Sequence, residues 1–305
     1  MDNKSIPKTV KLNNGIDMPM IGMGTYAIPQ LDQVIYESIK KGLRLIDTAW
    51  FYGNEKEVGL GVNKAIDDKI VERKDVFVMT KVWYTKKHDP ESSLVEQLKV
   101  LNLSYVDLYL DHFPFSINMV DGKEIKTPRH VFWKNMEGLV KKGLTKSIGV
   151  CNYNVQALQD ILSYCEIKPV VNQVEFHPYL YQKGLLDWCS INGIYLIAYN
   201  SLCKGKYTTM FHNEGTTLNL LEEQVVKDAA KKYGKSVGQI ALNWSLSQGV
   251  LIIPSSSKPE RMQENMESDT FTMSNEDIEN IGSLNKGYRF CSTTIQPGVS
   301  YDGFA

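Results

Sequence analysis

The chain has 305 residues, which is enough for one large hydrophobic core and too many for a small disulfide-stabilised scaffold. Hydrophobic residues make up 43% and charged residues 23%, which excludes the disordered and collagen-like classes. The 34 Lys and Arg residues nearly balance the 35 Asp and Glu residues, so the net charge is −1. Such a balance creates no long-range field, and we expect neither a nucleic-acid nor a membrane partner.

The five cysteines form no Cys-x-x-Cys pair, and their number is odd. No signal-like apolar segment follows the first residues, and no apolar run approaches the length of a membrane span. This usage predicts free thiols in a reducing compartment, the cytoplasm.

The first feature along the chain is an Asn-Gly turn between two short extended pieces, at residues 10–16. This turn predicts a β-hairpin. We interpret residues 1–19 as a hairpin that caps the rest of the chain.

Short apolar runs then alternate with segments of helical spacing. Eight strands are predicted at 20–23, 43–46, 76–79, 106–110, 147–150, 170–174, 194–199 and 250–253. Helices are predicted between them, among others at 33–40, 55–65, 91–101, 131–142 and 185–191. Continuous apolar strands alternating with helices indicate parallel pairing with both faces covered. The α/β pattern predicts one domain over residues 1–305, a (β/α)8 TIM barrel with extra helices.

Two irregular segments interrupt this rhythm, at residues 203–219 and 286–305. Both are predicted to overhang the mouth of the barrel. The C-terminal tail carries the aromatic residues Tyr288, Phe290, Tyr301 and Phe304. It is either packed on the outside of the barrel or forms an aromatic loop over a pocket.

Three neighbouring strands each end in an ionisable residue: Asp47, Lys81 and His112. Tyr52 follows Asp47 in the loop toward the next helix. Because the carboxyl ends of parallel barrel strands converge on one mouth, we expect these four side chains to lie together. Taken singly, each is more often a solvated charge or a structural polar residue; only the convergence favours a catalytic role.

The chemistry that fits this set is proton donation to a carbonyl. A phenol holds its proton at neutral pH, and a neighbouring Lys81 ammonium would stabilise the phenolate of Tyr52. Asp47 would hold that ammonium, and a neutral His112 could orient the carbonyl oxygen. The remaining histidines are scattered along the sequence, so no metal site is expected.

Reduction of a carbonyl also needs a hydride source. The chain has no Gly-x-Gly-x-x-Gly after a strand, which argues against a Rossmann site. The end of the last strand offers hydroxyl groups and two cations, at Ser255, Ser256, Lys258 and Arg261. These residues form either a phosphate-binding segment or a simple helix cap.

Several motifs appear in an order that resembles the aldo-keto reductases, in particular their aldose reductase and xylose reductase branch. The resemblance covers nearly the full length and rests on residues 45–49 (LIDTA), 52–59 (YGNEKEVG), 80–83 (TKVW), 105–109 (YVDLY), 112–114 (HFP), 147–152 (SIGVCN), 172–178 (NQVEFHP) and 261–265 (RMQEN).

The resemblance implies reduction of aldehydes, aldoses such as xylose, and some ketones, with NADPH and also NADH as cofactor. It implies that Tyr52 is the acid, supported by Lys81, Asp47 and His112. The cofactor-binding residues that it implies are Thr25, Asp47, Asn152, Gln173, Tyr199, Asn200, Leu202, Ser255, Ser256, Arg261, Glu264 and Asn265. The substrate-binding residues that it implies are Tyr26, Phe51, Trp83, His112 and Phe113. A monomer is expected, with a dimer as the alternative.

The chain departs from the family pattern at four places. Ser255 stands where a lysine is usual, which predicts weaker discrimination for NADPH over NADH. Cys151 replaces a serine, and Tyr26 replaces a pocket tryptophan. Residues 200–201 (Asn-Ser) replace the common Ser-Pro.

Two other functions remain open at this point. The first is a catalytically weak nucleotide-binding barrel that acts through protein partners, which would have no need of the Tyr52–Lys81 pair. The second is an aldolase that uses Lys81 as a Schiff-base nucleophile.

Overall fold

The computed structural model describes residues 5–120, 123–203, 217–291, 294–296 and 299–300. Its strands are β1 (Thr9–Lys11), β2 (Asp17–Pro19), β3 (Met23–Gly24), β4 (Leu45–Asp47), β5 (Phe77–Val82), β6 (Leu108–Asp111), β7 (Asn118–Val120), β8 (Lys123–Ile125), β9 (Ile148–Cys151), β10 (Val171–Glu175), β11 (Tyr195–Tyr199), β12 (Leu251–Ile252), β13 (Thr294–Gln296) and β14 (Val299–Ser300). Its helices are α1 (Leu31–Lys40), α2 (Glu55–Asp67), α3 (Pro90–Leu101), α4 (Arg129–Lys141), α5 (Val155–Leu162), α6 (Lys183–Ile191), α7 (Gln224–Tyr233), α8 (Val237–Ser247), α9 (Pro259–Met266) and α10 (Asn275–Gly282).

Eight strands form one parallel sheet in the order β12-β11-β10-β9-β6-β5-β4-β3. A parallel bridge between Ile21 and Ile252 joins the two ends of this sheet. At this seam the amide of Gly22 donates to the carbonyl of Ile252 at 2.8 Å, and the amide of Ile252 donates to the carbonyl of Met20 at 3.0 Å. The predicted (β/α)8 barrel is therefore confirmed.

The predicted first strand, 20–23, begins later than expected, because β3 contains only Met23 and Gly24. The residues before it bond across the seam to Ile252 instead of running along β4. The other seven barrel strands overlap their predicted runs.

The predicted hairpin is also confirmed. Strands β1 and β2 pair antiparallel, apart from the barrel sheet. Gly15 in the connecting turn has a φ of 85°, in the left-handed region that glycine adopts at little cost. The amide of Leu12 donates to the carbonyl of Ile16 at 2.8 Å, which closes the turn.

Helices pack around the barrel, and α2 lies especially close to α3. A Cβ added at Gly59 would clash with the carbonyl oxygen and backbone carbons of Leu101, so a larger residue there would separate the two helices. A (β/α)8 alternation has one helix after each strand, and the described residues contain two more, namely one of the pair α7–α8 before β12, and α10 after α9. These are the extra helices that the sequence analysis expects without placing them.

Candidate active site

The carboxyl ends of the barrel strands surround a cavity that opens to solvent. Asp47 ends β4, Lys81 lies near the end of β5, and His112 follows β6 directly. Tyr52 lies on a short 3-10 helix, Trp50–Tyr52, between β4 and α2. The cavity is lined by Gly24, Thr25, Tyr26, Asp47, Phe51, Tyr52, Trp83, His112, Phe113, Asn152, Gln173, Tyr199, Asn200, Ile253, Ser255 and Cys291.

Lys81 is fully buried, and three acceptors surround its ammonium group. Its Nζ donates to Oδ1 of Asp47 at 2.6 Å, to the carbonyl of Thr48 at 2.9 Å and to the hydroxyl oxygen of Tyr52 at 3.1 Å. Since an ammonium has three protons, these bonds use its full donor capacity. The sequence-predicted group of Tyr52, Lys81 and Asp47 is thus brought together as one hydrogen-bonded set.

Asp47 balances the buried charge of Lys81. Its Oδ1 also accepts a hydrogen bond from Nε2 of Gln173 at 3.0 Å. Burial raises the pKa of Asp47, while the Lys81 ammonium and the Gln173 amide oppose that rise. The two partners therefore support the ionised carboxylate at a position that is almost closed to solvent.

His112 is held at its backbone and surrounded by rings at its side chain. Its amide donates to the carbonyl of Val82 at 3.2 Å, and its carbonyl accepts from Nδ2 of Asn152 at 3.1 Å. The imidazole lies edge-on to Trp83, with centroids 5.1 Å apart. Burial, followed by the charges of Lys81 and Lys87, lowers its pKa well below 6.5. The ring is therefore neutral at physiological pH.

Aromatic rings form one wall of the cavity, as the resemblance implies. Phe51 stacks on Trp83, and Phe113 meets Trp83 edge-on with centroids 5.5 Å apart. Tyr26 contacts Tyr52 edge-on at 5.1 Å. Each of the sequence-predicted substrate residues lines the cavity.

The sequence-predicted cofactor residues divide into two groups. Thr25, Asp47, Asn152, Gln173, Tyr199, Asn200 and Ser255 line the cavity. The hydroxyl of Tyr199 donates to Oδ1 of Asn152 at 2.9 Å, which joins the ends of β9 and β11. The second group lies outside that lining: Leu202, Ser256, Arg261, Glu264 and Asn265.

The second group lies in the loop after β11 and in the segment from β12 through α9. Arg261 is exposed on α9, and Asn265 on the same helix is buried. The serine segment is not a side-chain cap of α9, because Lys258 occupies the N-cap position without a side-chain bond. Oγ of Ser256 instead accepts from the amide of Lys258 at 3.1 Å.

The sequence analysis missed Glu175 and Cys291, which connect the tail to the cavity. Glu175 is fully buried at the end of β10 and accepts from the amides of Phe290 at 2.9 Å and Cys291 at 3.2 Å. Cys291 lines the cavity. A buried carboxylate at a strand end was the available signal. Phe290 is buried against His177 and Tyr179, whereas Tyr301 and Phe304 lie outside the described residues.

Over the described ranges, no group of three or more His, Cys, Asp or Glu side chains could hold a metal ion. All five cysteines fall within those ranges and are free thiols. No helix in the described part of the chain is both long and apolar enough to cross a membrane.

A parallel barrel with a phenol, an ammonium, a carboxylate and an imidazole at its carboxyl-terminal mouth defines a barrel enzyme whose active site is built from several strand ends. Residues 21–286 match the model of the Aldo/keto reductase family, and the chain belongs to that family.

Three relatives illustrate what the chain is similar to. It is 40% identical to the NAD(P)H-dependent D-xylose reductase of Pyricularia oryzae, over 92% of this chain and 94% of that protein. It is 39% identical to the 4-dihydromethyl-trisporate dehydrogenase of Mucor mucedo, over 90% and 92% of the two chains. It is 37% identical to the NADPH-dependent aldose reductase of Saccharomyces cerevisiae, over 92% and 94%.

Proposed function

We propose that the protein reduces aldehydes to alcohols with NADPH, and with NADH as a second cofactor. Its substrates include aromatic and aliphatic aldehydes, aldoses such as xylose, and some ketones. The observation that carries the proposal is the Lys81 ammonium, which donates to both Asp47 and Tyr52 inside the cavity. Family membership and the activities for which the reductase relatives are named support the same function.

Tyr52 is the proton donor in this proposal. Because its phenol oxygen accepts a hydrogen bond from Lys81, the charge on that oxygen is stabilised when the proton leaves. Asp47 keeps the ammonium in place, and the neutral imidazole of His112 orients the carbonyl oxygen of the substrate. With all three protons of Lys81 engaged, its nitrogen has no lone pair to attack a carbonyl, which argues against the aldolase.

The residues of the mouth suit a reduced nicotinamide dinucleotide. Among the described residues, Oδ1 of Asn200 is buried without a hydrogen-bond partner, and it belongs to a residue that lines the cavity. The amides of Asn152 and Gln173 line the same cavity, as does the ring of Tyr199. We assign the nicotinamide to these four residues, and Thr25 to its ribose. When bound, the cofactor supplies the hydride.

The phosphate-bearing part of the cofactor is assigned to the second group of residues. Leu202 and Ser255–Ser256 would lie along the diphosphate, and Arg261, Glu264 and Asn265 around the adenosine. The exposed guanidinium of Arg261 can bind a phosphate with two parallel hydrogen bonds. Ser255 brings no charge, so the preference for NADPH over NADH is expected to be modest.

The test follows NADPH absorbance with an aromatic aldehyde, xylose and a ketone. Tyr52→Phe should lower kcat by about 10²–10⁴-fold, because a positioned acid is lost. Tyr105→Phe, which removes a hydroxyl from a half-buried residue just before β6, at the opposite end of that strand from the cavity, is the matched control and should keep full activity. NADPH binding by the wild type without turnover of any carbonyl would instead support the nucleotide-binding barrel that acts through partners.

We also propose that residues 1–305 form one domain that works as a monomer in the reducing environment of the cytoplasm. One buried apolar cluster that runs through all eight barrel strands supports a single domain. Free cysteines are the common state in a reducing compartment, which supports the location.

A further inference from the structure

A second buried ionic cluster lies beside the cavity and does not line it. It consists of Lys87 in the loop after β5, Asp111 at the end of β6 and Tyr153 after β9; we refer to it as the Lys87 cluster. The exposed fraction of these residues is 3%, 0% and 1%. None of the three has a role in the function proposed above.

Short hydrogen bonds join the three members. Nζ of Lys87 donates to Oδ2 of Asp111 at 2.6 Å, and the hydroxyl of Tyr153 donates to the same oxygen at 2.6 Å. Nζ of Lys87 also donates to the carbonyl of Phe113 at 2.6 Å. The cluster therefore connects the carboxyl ends of three neighbouring barrel strands.

These bonds hold the residues directly before and directly after His112. Asp111 precedes the histidine and is held through its side chain, while Phe113 follows it and is held through its carbonyl. Oδ1 of Asp111 also accepts from the amide of Phe113 at 3.4 Å. Tyr153 directly follows Asn152, whose side-chain amide donates a hydrogen bond to the backbone carbonyl of His112. The backbone that carries the imidazole is thus fixed through the cluster on both sides.

A buried ion pair of this kind is expected to add little to the stability of the fold. A buried ion pair costs the hydration of both charges, and apolar residues of similar volume often stabilise a fold as well or better. What the pair supplies is geometry, since a charged hydrogen bond between two buried groups fixes distance and direction more strictly than apolar packing. Catalytic groups need such support, because a displacement of about 1 Å can cost on the order of 100-fold in rate.

We propose that Lys87, Asp111 and Tyr153 are positioning residues that hold the imidazole of His112 at the distance from Tyr52 at which both reach one carbonyl oxygen. The inference rests on the proposed function for its kinetic consequence. The placement of the ring can be measured without turnover.

The first experiment separates positioning from stability. Lys87→Met alone leaves the carboxylate of Asp111 buried without its cation and should lower the midpoint of thermal unfolding. Lys87→Met with Asp111→Leu removes both charges and should restore most of the lost midpoint; the remainder is the cost of the Tyr153 hydroxyl, which loses its acceptor. We expect kcat for an aromatic aldehyde to stay about tenfold below that of the wild type in this stable double variant. Recovery of kcat together with stability would overturn the proposal.

The second experiment asks whether the effect passes through His112. The double variant is rebuilt on a His112→Gln background, where it should lower kcat by less than twofold. A tenfold loss on both backgrounds would show general distortion of the site and would refute positioning. Tyr153→Phe, which removes one hydroxyl, should give a smaller loss that likewise vanishes on the His112→Gln background.

The third experiment observes the ring directly. In protein labelled with ¹³C-histidine, the Cε1–H signal of His112, assigned from His112→Gln, should move in the double variant. Lys146→Met is the matched control. Lys146 forms an ion pair with Asp107, which directly precedes the first residue of β6, whereas Asp111 is the last residue of that strand. The control variant should leave both the signal and kcat unchanged. An unmoved His112 signal in the double variant would contradict the positioning proposal, whether or not the wild type reduces an aldehyde. A wild type that turns over no aldehyde would refute only the proposed function.

Discussion

The ring of Phe51 lies flat on the ring of Trp83, with centroids 4.1 Å apart and planes 11° from parallel. Phe51 is the residue directly before Tyr52, so this stack places apolar surface next to the proposed proton donor. Trp83 in turn contacts His112 and Phe113. A substrate whose carbonyl reaches Tyr52 must therefore rest its remaining atoms against aromatic rings.

This wall predicts a preference among the proposed substrates. The hydroxyl groups of xylose would lose water against the rings of Phe51 and Phe113, which offer no hydrogen-bond partner, at a cost of about 1–3 kcal/mol for each unpaired group. We expect kcat/KM for benzaldehyde to exceed that for xylose by roughly 100-fold. Steady-state kinetics with the two substrates measures this ratio.

Phe51→Asn should reduce the benzaldehyde-to-xylose ratio about tenfold, because it removes the stacked ring and adds a hydrogen-bonding amide. Val95→Asn is the control, since Val95 is an exposed apolar residue on α3. An unchanged ratio in Phe51→Asn would show that this wall does not select the substrate.

The neutral His112 makes a prediction about stability and pH. Its folded-state pKa lies below that of the unfolded chain, so between the two values only the unfolded chain binds the proton. Stability is therefore lost as pH falls below about 6.5, by up to about 1.4 kcal/mol per pH unit. His112→Gln should escape this loss and gain about 1–2 kcal/mol on the wild type between pH 7 and pH 5. Urea unfolding at both pH values measures it, and exposed His130→Gln should show no such gain.

Two helical glycines, one packed against a neighbouring helix and one in open space, should respond in opposite ways to alanine. Gly59→Ala places a methyl group against the backbone of Leu101 and should destabilise the protein by about 2 kcal/mol or more. Gly138→Ala in α4 meets no atom within 4 Å and should stabilise it by about 0.5–1 kcal/mol. Chemical denaturation measures the free energy of unfolding of both variants. If Gly59→Ala leaves it unchanged, α2 and α3 can separate without cost.

Asp277 joins α7 to α10 and should contribute stability that depends on pH. It accepts from Lys232 at 2.7 Å, Ser274 at 2.6 Å and the hydroxyl of Tyr233 at 2.5 Å. Despite partial burial, these bonds lower its pKa to about 2. Because the folded pKa lies below the unfolded value, the stabilisation is complete above about pH 4 and is lost as pH falls toward 2.

Asp277→Asn should therefore cost about 1–2 kcal/mol at pH 7, and the difference from the wild type should shrink as pH is lowered from 4 to 2. Thermal unfolding across this range measures the difference. Asp228→Asn, at an exposed position of α7, is the control and should stay within about 0.5 kcal/mol. A loss that does not depend on pH would mean that the charge of Asp277 is not what stabilises the contact.

The barrel could be predicted from the sequence because buried parallel strands appear as continuous apolar runs at regular spacing. The meeting of Asp47, Tyr52 and Lys81 could also be predicted, since strand ends of a barrel converge on one mouth. Their catalytic roles stay predictions. The start of β3 was predicted too early, because pairing across the seam depends on Ile252, which lies far away in the sequence.

The Lys87 cluster and the Glu175 contacts could not be predicted in the same way. Lys87 lies in a loop, and the path of a loop decides which strand end its side chain reaches. Nothing periodic in the sequence pairs Lys87 with Asp111, or Glu175 with the amides of Phe290 and Cys291. In both cases the available signal was a carboxylate at the end of an apolar strand, Asp111 beside His112 and Glu175 at the end of β10.

The seam between Ile21 and Ile252 has a consequence for biosynthesis. As the chain leaves the ribosome, β3 exposes an edge of unpaired amides and carbonyls until the segment around Ile252 has been made. Open edges of this kind recruit strands from other nascent chains. A polypeptide that stops before β12 should therefore accumulate in inclusion bodies or on chaperones, whereas one that ends soon after α10 can still complete its cylinder.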